Sequence, residues 1–357
     1  MIIEIIDNKT LEVKSYGTVL TDSYEIKSDI YSIKYTTFKV LNAEISKGDL
    51  VNIKEIQYFG VVNNKEQTDI NEVVQIQCAP FDELINIEMP AVSFTGNIAQ
   101  KVKEHIEKLF GKDNEDIHQQ IPKLQIIAEA TEEASIQFNN DEPIKVHDLL
   151  IKAFEIAGVY HTFNLATNTF GKYCNIEMHL KSNNKKPITL KTDFSAIRGF
   201  AYSDNLSQNE NKIEFYLSSE NGTYATDPTA TRYLLDDNSI THDATAEGRI
   251  LPVKSKVKYY QSSELENNSS YFDDTAAQEL KGNSYNHIIE MKMLIDNKIA
   301  VPFVDFDLYS KITFIDKNNV YNTILTGYTK TQDKSIVSLT FGKVRKGLID
   351  KIRRGIK

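Results

Sequence analysis

The chain has 357 residues, 41% hydrophobic and 25% charged, with a formal net charge of −9. That length suits about two to four domains, and the composition is that of a globular chain rather than a disordered one. Acidic charge without a dominant block argues against wrapping nucleic acid, which needs a basic face. The N-terminus, Met1-Ile2-Ile3-Glu4-Ile5-Ile6-Asp7, lacks the basic start of a secretion signal. No apolar run reaches bilayer-spanning length. The expectation is a chain that stays in its compartment of synthesis, without a membrane anchor.

Taken in order, runs rich in β-branched and aromatic residues predict strands at 30–41, 50–62 and 72–79. A helix follows at 97–110, with Ile98, Val102, Ile106 and Leu109 on one stripe and Gly111 as its stop. A second spans 144–157, opened by Pro143, closed by Gly158 and buried through Val146, Leu149, Leu150, Ala153, Phe154 and Ala157. Strands resume at 159–166, 173–181 and 211–218. A short helix at 273–281 begins with Asp273-Asp274, and strands follow at 285–295, 311–315, 320–328 and 335–342. The two longer helices lie in a segment bounded by Pro90 and Pro187. The chain is thus of the α+β class, mainly β, with a compact α/β insertion.

A weak internal repeat runs through this order. Asp49-Leu50-Val51, a strand from Tyr58 and Val73 to Cys78 are echoed by Asp307-Leu308-Tyr309, a strand from Tyr321 and Ile336 to Phe341. The spacing from Tyr58 to Val73 equals that from Tyr321 to Ile336. Two similar small β-barrels are the natural reading, because period-two strands leave an apolar face that must close on itself or pack on a second sheet.

Signs of chemistry are sparse. There is no Gly-rich phosphate loop, Rossmann fingerprint, nucleophile elbow or zinc spacing. His287-Ile288-Ile289-Glu290 lies on a strand, where positions three apart face opposite ways. Cys78 and Cys174 sit in alternating apolar patterns, as small buried hydrophobes do. The doublets Asp236-Asp237 and Asp273-Asp274 suit a turn and a helix start. No catalytic, cofactor or metal residue is assigned. The end of the chain differs in charge: Lys343, Arg345, Lys346, Lys351, Arg353, Arg354 and Lys357 face a single acid, Asp350. Leu348, Ile349, Ile352 and Ile356 are spaced for one face of a short helix. The basic residues at 343, 345, 346, 351, 353 and 354 are the candidate partner contact.

The layout resembles the tail hub proteins of phages infecting Gram-positive bacteria, a family that includes the N-terminal part of tail-associated lysins and the hubs of contractile tails. The likeness is carried by Lys47-Gly48-Asp49-Leu50-Val51, Tyr58-Phe59-Gly60-Val61-Val62, Gln75-Ile76-Gln77-Cys78, Asn211-Lys212-Ile213-Glu214-Phe215-Tyr216 and Gly248-Arg249-Ile250-Leu251-Pro252-Val253. It continues from Asn286-His287-Ile288-Ile289-Glu290 through Thr326-Gly327-Tyr328 to Leu339-Thr340-Phe341-Gly342-Lys343-Val344-Arg345.

The resemblance implies two tail-tube-like β-barrels flanking an α/β insertion. The expected division is a first barrel over 1–90, open to completion by strands from 196–260, an insertion over 91–195, a β-rich connection over 196–270, a second barrel over 271–342 and a basic tail over 343–357. It further implies a homotrimeric ring at the distal end of a tail, joining a sixfold tube to a threefold tip. The partners would be a distal tail or tail-tube protein and a tip or fibre protein, with DNA only as passing cargo. Because the sequence ends about fifteen residues after its last predicted strand, no lytic domain is expected. The alternatives are a peptidoglycan-degrading enzyme with its site in 91–195, and the hub of a contractile bacteriocin or secretion machine.

Overall fold

The computed structural model describes residues 1–20, 24–67, 73–131, 133–138, 143–183, 186–204, 210–218, 224–237, 239–266, 270–281, 287–297, 300–317, 319–332 and 335–342. The basic candidates at 343–354 lie outside the described residues. Contacts divide the described residues into two units, Met1–Ala201 with those from Glu290 on, and Tyr202–Ile289.

The first unit opens with seven strands: β1 (Ile2–Ile6), β2 (Val13–Val19), β3 (Glu25–Asp29), β4 (Thr36–Leu41), β5 (Leu50–Ile53), β6 (Tyr58–Gln67) and β7 (Val73–Ala79). Six of them form a closed barrel in the order β1-β2-β4-β7-β6-β5. Alternation along β7 sends Val74, Ile76 and Cys78 inward, beside a fully buried Phe38. Phe38 meets Tyr58 edge-on, with ring centres 5.0 Å apart. The strand predicted over 50–62 is a hairpin, because Ile53 pairs with Tyr58 and Gln57 turns through φ 53°. The strand predicted over 30–41 is confined to Thr36–Leu41. The barrel closes on its own strands, and among the described residues none from 196–260 completes it.

The insertion carries β8 (Glu88–Met89), β9 (Ser93–Asn97), α1 (Ile98–Phe110), β10 (Leu124–Ala128), β11 (Glu133–Gln137), β12 (Ile144–Lys145), α2 (Val146–Ala157), β13 (Val159–Thr167) and β14 (Tyr173–Ser182). The Asn97 side chain accepts the Gln100 amide at 3.1 Å and caps α1. The α1 stripe ends on buried Phe110, with Leu109 only half-buried. Asp148 accepts the Lys145 amide at the start of α2, and Gly158, at φ 63°, ends that helix. Both helices pack against the sheet β10-β14-β13. Leu165 and Ile176 of that sheet meet Ile6, Leu50, Val61 and Phe81 on the barrel's outside.

The rest of this unit is built by β15 (Ile188–Lys191), β16 (Ile197–Asp204) and, after the second unit, by the last strands of the chain. The second unit holds β17 (Lys212–Leu217), β18 (Ala230–Leu234), β19 (Ile240–Thr241), β20 (Ser255–Tyr260), α3 (Ser262–Glu266) and α4 (Tyr271–Ala276), followed by a π-helical turn at Ala277–Lys281. Its sheet runs β19-β18-β17-β20. Ile213, Phe215, Leu234 and Tyr260 of the sheet form its core with Tyr271, Ala276 and Leu280. The helix predicted at 273–281 therefore begins earlier, at Tyr271, and widens to π geometry over its second half.

The chain returns as β21 (His287–Leu294), β22 (Lys311–Asp316), β23 (Asn319–Thr331) and β24 (Ile336–Gly342). These join the sheet β15-β22-β23-β24-β21-β16, with β3 also paired to β23. Read from β2 round to β1, the barrel order is β2-β4-β7-β6-β5-β1. Read from β16, the second sheet is β16-β21-β24-β23-β22-β15. Each strand is replaced by its later counterpart, in the same chain order. Register agrees pair by pair. Val62–Cys78, Asn64–Gln77, Lys65–Ile76, Glu66–Gln75 and Gln67–Val74 in the first meander match Leu325–Phe341, Gly327–Thr340, Tyr328–Leu339, Thr329–Ser338 and Lys330–Val337 in the second. Both carry a β-bulge at the same step, between Val62 and Asn64 and between Leu325 and Gly327.

The expected second barrel over 271–342 differs in two ways. Its module begins with β15, at Ile188, while Tyr271–Lys281 belongs to the second unit. The sheet is also an open half-barrel. Where β1 runs antiparallel to β5, β15 runs parallel to β22, and among the described residues the pairing that would close the ring has no counterpart.

In the barrel, a Cβ on Gly17 would lie 2.6 Å from the Ala43 Cβ and 3.0 Å from the Leu41 carbonyl oxygen. Gly17→Ala should therefore cost about 1–3 kcal/mol by overpacking, read as a lower urea midpoint with an unchanged slope.

Candidate functional site

Three parts of the first unit converge on a cavity of about 410 Å³. The chain leaving the barrel contributes a 3-10 turn at Phe81–Ile85, the insertion contributes β13 and the start of α2, and the second module contributes the loop before β22. At the centre is Tyr309, buried and held at φ 68°. A bulky residue in that region is strained by of order 1 kcal/mol or more, and persists only where its surroundings over-determine it. Here they do. The Tyr309 amide donates to the Leu325 carbonyl at 2.9 Å, and its own carbonyl accepts the Asn183 side-chain amide at 3.0 Å. Its ring stacks on Tyr160 at 5.0 Å and meets Phe154 edge-on at 4.9 Å. Burial drives its hydroxyl well above the usual tyrosine range.

His161 on β13 is bonded through Nε2 to Asp82 Oδ1 at 2.5 Å, with its ring edge-on to Phe163 and Tyr309. Burial alone would raise the Asp82 carboxyl, but the charge and hydrogen bond of His161, with a contribution from His147, hold it below its ordinary value. His147, second residue of α2, lines the same cavity with both ring nitrogens shielded from solvent, and burial keeps its imidazole below the usual 6.5. An imidazole oriented by a carboxylate is half of a proton-transfer pair. Here it ties the barrel exit to β13 of the insertion, with the ring packed edge-on against Phe163 and Tyr309.

A second polar tie joins barrel to insertion. Glu4 of β1 accepts Lys54 Nζ at 2.7 Å, Asn52 Nδ2 at 2.8 Å and the Tyr173 hydroxyl at 2.5 Å. Burial and this carboxylate push the Tyr173 hydroxyl up to about 12.

The other residues singled out from sequence serve local structure. Asp273 accepts Arg232 Nε at 2.6 Å in the first turn of α4, and Asp237 accepts the Ser239 amide in a turn. Cys78 is buried, and burial pushes its thiol up. Cys174 is only half-buried, because it falls in a bulge where Ala166 pairs with Asn175 and Thr167 with Tyr173. Three carboxylates of the insertion are similarly occupied: Asp148 caps α2, Glu129 accepts the Ser182 amide and Glu177 bonds His179. Among the described residues, no group of three or more His, Cys, Asp or Glu side chains could hold a metal ion. No local pattern in the sequence marks Asp82–His161 or Glu4–Tyr173, since the partners lie far apart along the chain.

This architecture, a six-stranded barrel and a half-barrel around an α/β insertion, is the fold of phage tail and baseplate proteins. The chain matches prophage tail protein gp18 of Listeria monocytogenes at a TM-score of 0.55 and 13% identity, over 99% of this chain and 97% of that one. It matches the MuSo2 prophage 43 kDa tail protein of Shewanella oneidensis at 0.54 and 12%, over 96% and 97%. A chain of the p2 virion baseplate in its activated conformation matches at 0.53 and 12%, over 97% and 99%. No protein-family model and no curated protein matches the sequence.

Two predictions concern the joint. Tyr309→Ala should destabilise the first unit by about 3–5 kcal/mol, against a much smaller loss for Tyr309→Phe, both read by urea unfolding. His147 and Asp82 each have a lowered native pKa. Their contribution is complete above the unfolded values and is lost as pH falls through the native ones. Stability should therefore fall through His147 as pH drops below about 6.5, and through Asp82 only below about 3.8, and His147→Gln should remove the first loss alone.

Proposed function

We propose that the chain is a structural hub at the distal end of a phage-type tail, working as a ring-shaped homotrimer that joins a sixfold tail tube to a threefold tip. The observation that carries this reading is the register shared by the two modules, down to the position of the bulge. Three copies of a chain with two alike modules present six alike modules, so one ring can meet sixfold order on one side and threefold order on the other. Heterologous contacts whose rotation closes produce such rings.

The full-length fold match to tail and baseplate proteins supports the same setting. In it, the neighbours are a distal tail or tail-tube protein and a tip or fibre protein, and DNA is passing cargo. A net charge of −9 suits a bore that must not hold the genome. The basic residues Lys343, Arg345, Lys346, Lys351, Arg353 and Arg354 supply a cationic contact for the next tip component. The role is structural rather than catalytic, and the site of action is the virion tail tip after assembly in the host cytoplasm.

The purified protein should scatter light as three times its 40.6 kDa chain mass. A strictly monomeric species at high concentration, with no threefold density in isolated particles, would overturn the reading.

A further inference from the structure

Because the two modules share a register, a partner found on one identifies a vacant partner position on the other. In the second module, β23 pairs with β22 up to Ile324, and beyond the bulge the same edge is taken by β3, which the first module supplies. Gly327 faces Asp29, Tyr328 faces Ser28 and Lys330 faces Ile26. The corresponding half of β6 pairs with β7 on one side. On the other side β5 reaches only Val61, and Val62 closes that ladder by bonding to Gly48 and Asp49. Among the described residues no strand covers the edge beyond. Exposure follows the difference: Asn64, Lys65 and Glu66 are exposed, whereas Gly327 is buried and Tyr328 and Thr329 are half-buried. The Lys65 amide donates instead to the Asn64 side chain at 2.9 Å, a local substitute for a strand partner.

We propose that this edge of β6 receives a strand from a neighbouring copy of the chain, repeating between chains the contact that β3 makes within one. The inference rests on the trimeric ring. Modules alternate around such a ring, and the step from the first module to the second within a chain is quasi-equivalent to the step from the second module to the first of the next chain. The donor belongs to the second module of that neighbouring copy, as β3 belongs to the first module within one chain. Strand addition works through main-chain hydrogen bonds, so the two donors need not resemble each other in sequence. It also removes an exposed edge.

Hydrogen exchange on the full-length protein, below and above its assembly concentration, tests this. The outward amides of this stretch, Lys65 and Gln67, should exchange about tenfold more slowly, or slower still, in the trimer. Lys65→Pro removes an outward amide at a position where a sheet edge tolerates proline. It should keep the far-UV spectrum of the monomer and lose the trimer, while Lys65→Ala keeps both. If wild-type trimers form with unchanged exchange at Lys65 and Gln67, or if Lys65→Pro assembles normally, the edge has no such role and the ring stands. If no trimer forms at all, the ring itself fails and this contact with it. Should Lys65→Pro misfold, exchange in the wild-type protein decides alone.

Discussion

Backbone pairing at strand edges is the constraint on which this architecture depends. Each residue brings a donor and an acceptor that must be satisfied once the strand leaves water. The first module solves this by closing, with β5 returning to β1. The second has the same order of strands but a reversed β15, so its ring stays open, and it draws β3 from the first module to complete one edge of β23. The two modules are therefore held together by main-chain bonds as well as by side chains.

The insertion adds a second kind of linkage. Its apolar outer sheet packs on the barrel through Leu165 and Ile176, while its far end meets the second module through the aromatic group around Tyr309. The strained backbone at Tyr309 is sustained by contacts from both sides, so the geometry of that residue depends on barrel exit, insertion and second module all being in place.

Much of the mainly-β class and both longer helices could be read from periodicity, because half-buried strands such as β7 and amphipathic helices such as α1 leave regular patterns. The equal spacing of Tyr58–Val73 and Tyr321–Ile336 identified true structural counterparts. The Asp-Leu match beside it did not. Leu50 pairs with Val61 and Lys311 with Ile324, so the counterpart of Leu50 is Lys311 and Leu308 lies in a loop. β1 leaves no strand pattern because Ile3 and Ile5 face the barrel while Ile6 faces the insertion, which erases alternation. β3, β15 and β16 are short or polar strands whose partners are distant, and nothing local announces a pairing such as Lys27 with Thr329. The Asp82–His161 tie is hidden for the same reason.

The partnership of β3 with β23 also bears on how the polypeptide acquires its shape during translation. The six barrel strands lie within the first 79 residues and can close soon after they emerge. β3, although made among them, must wait for a mate that is synthesised only near residue 331. Such high contact order slows folding and prolongs the exposure of sticky strand edges. A nascent chain is thus most open to premature association with its siblings on the same polysome during the interval between the first module and the last.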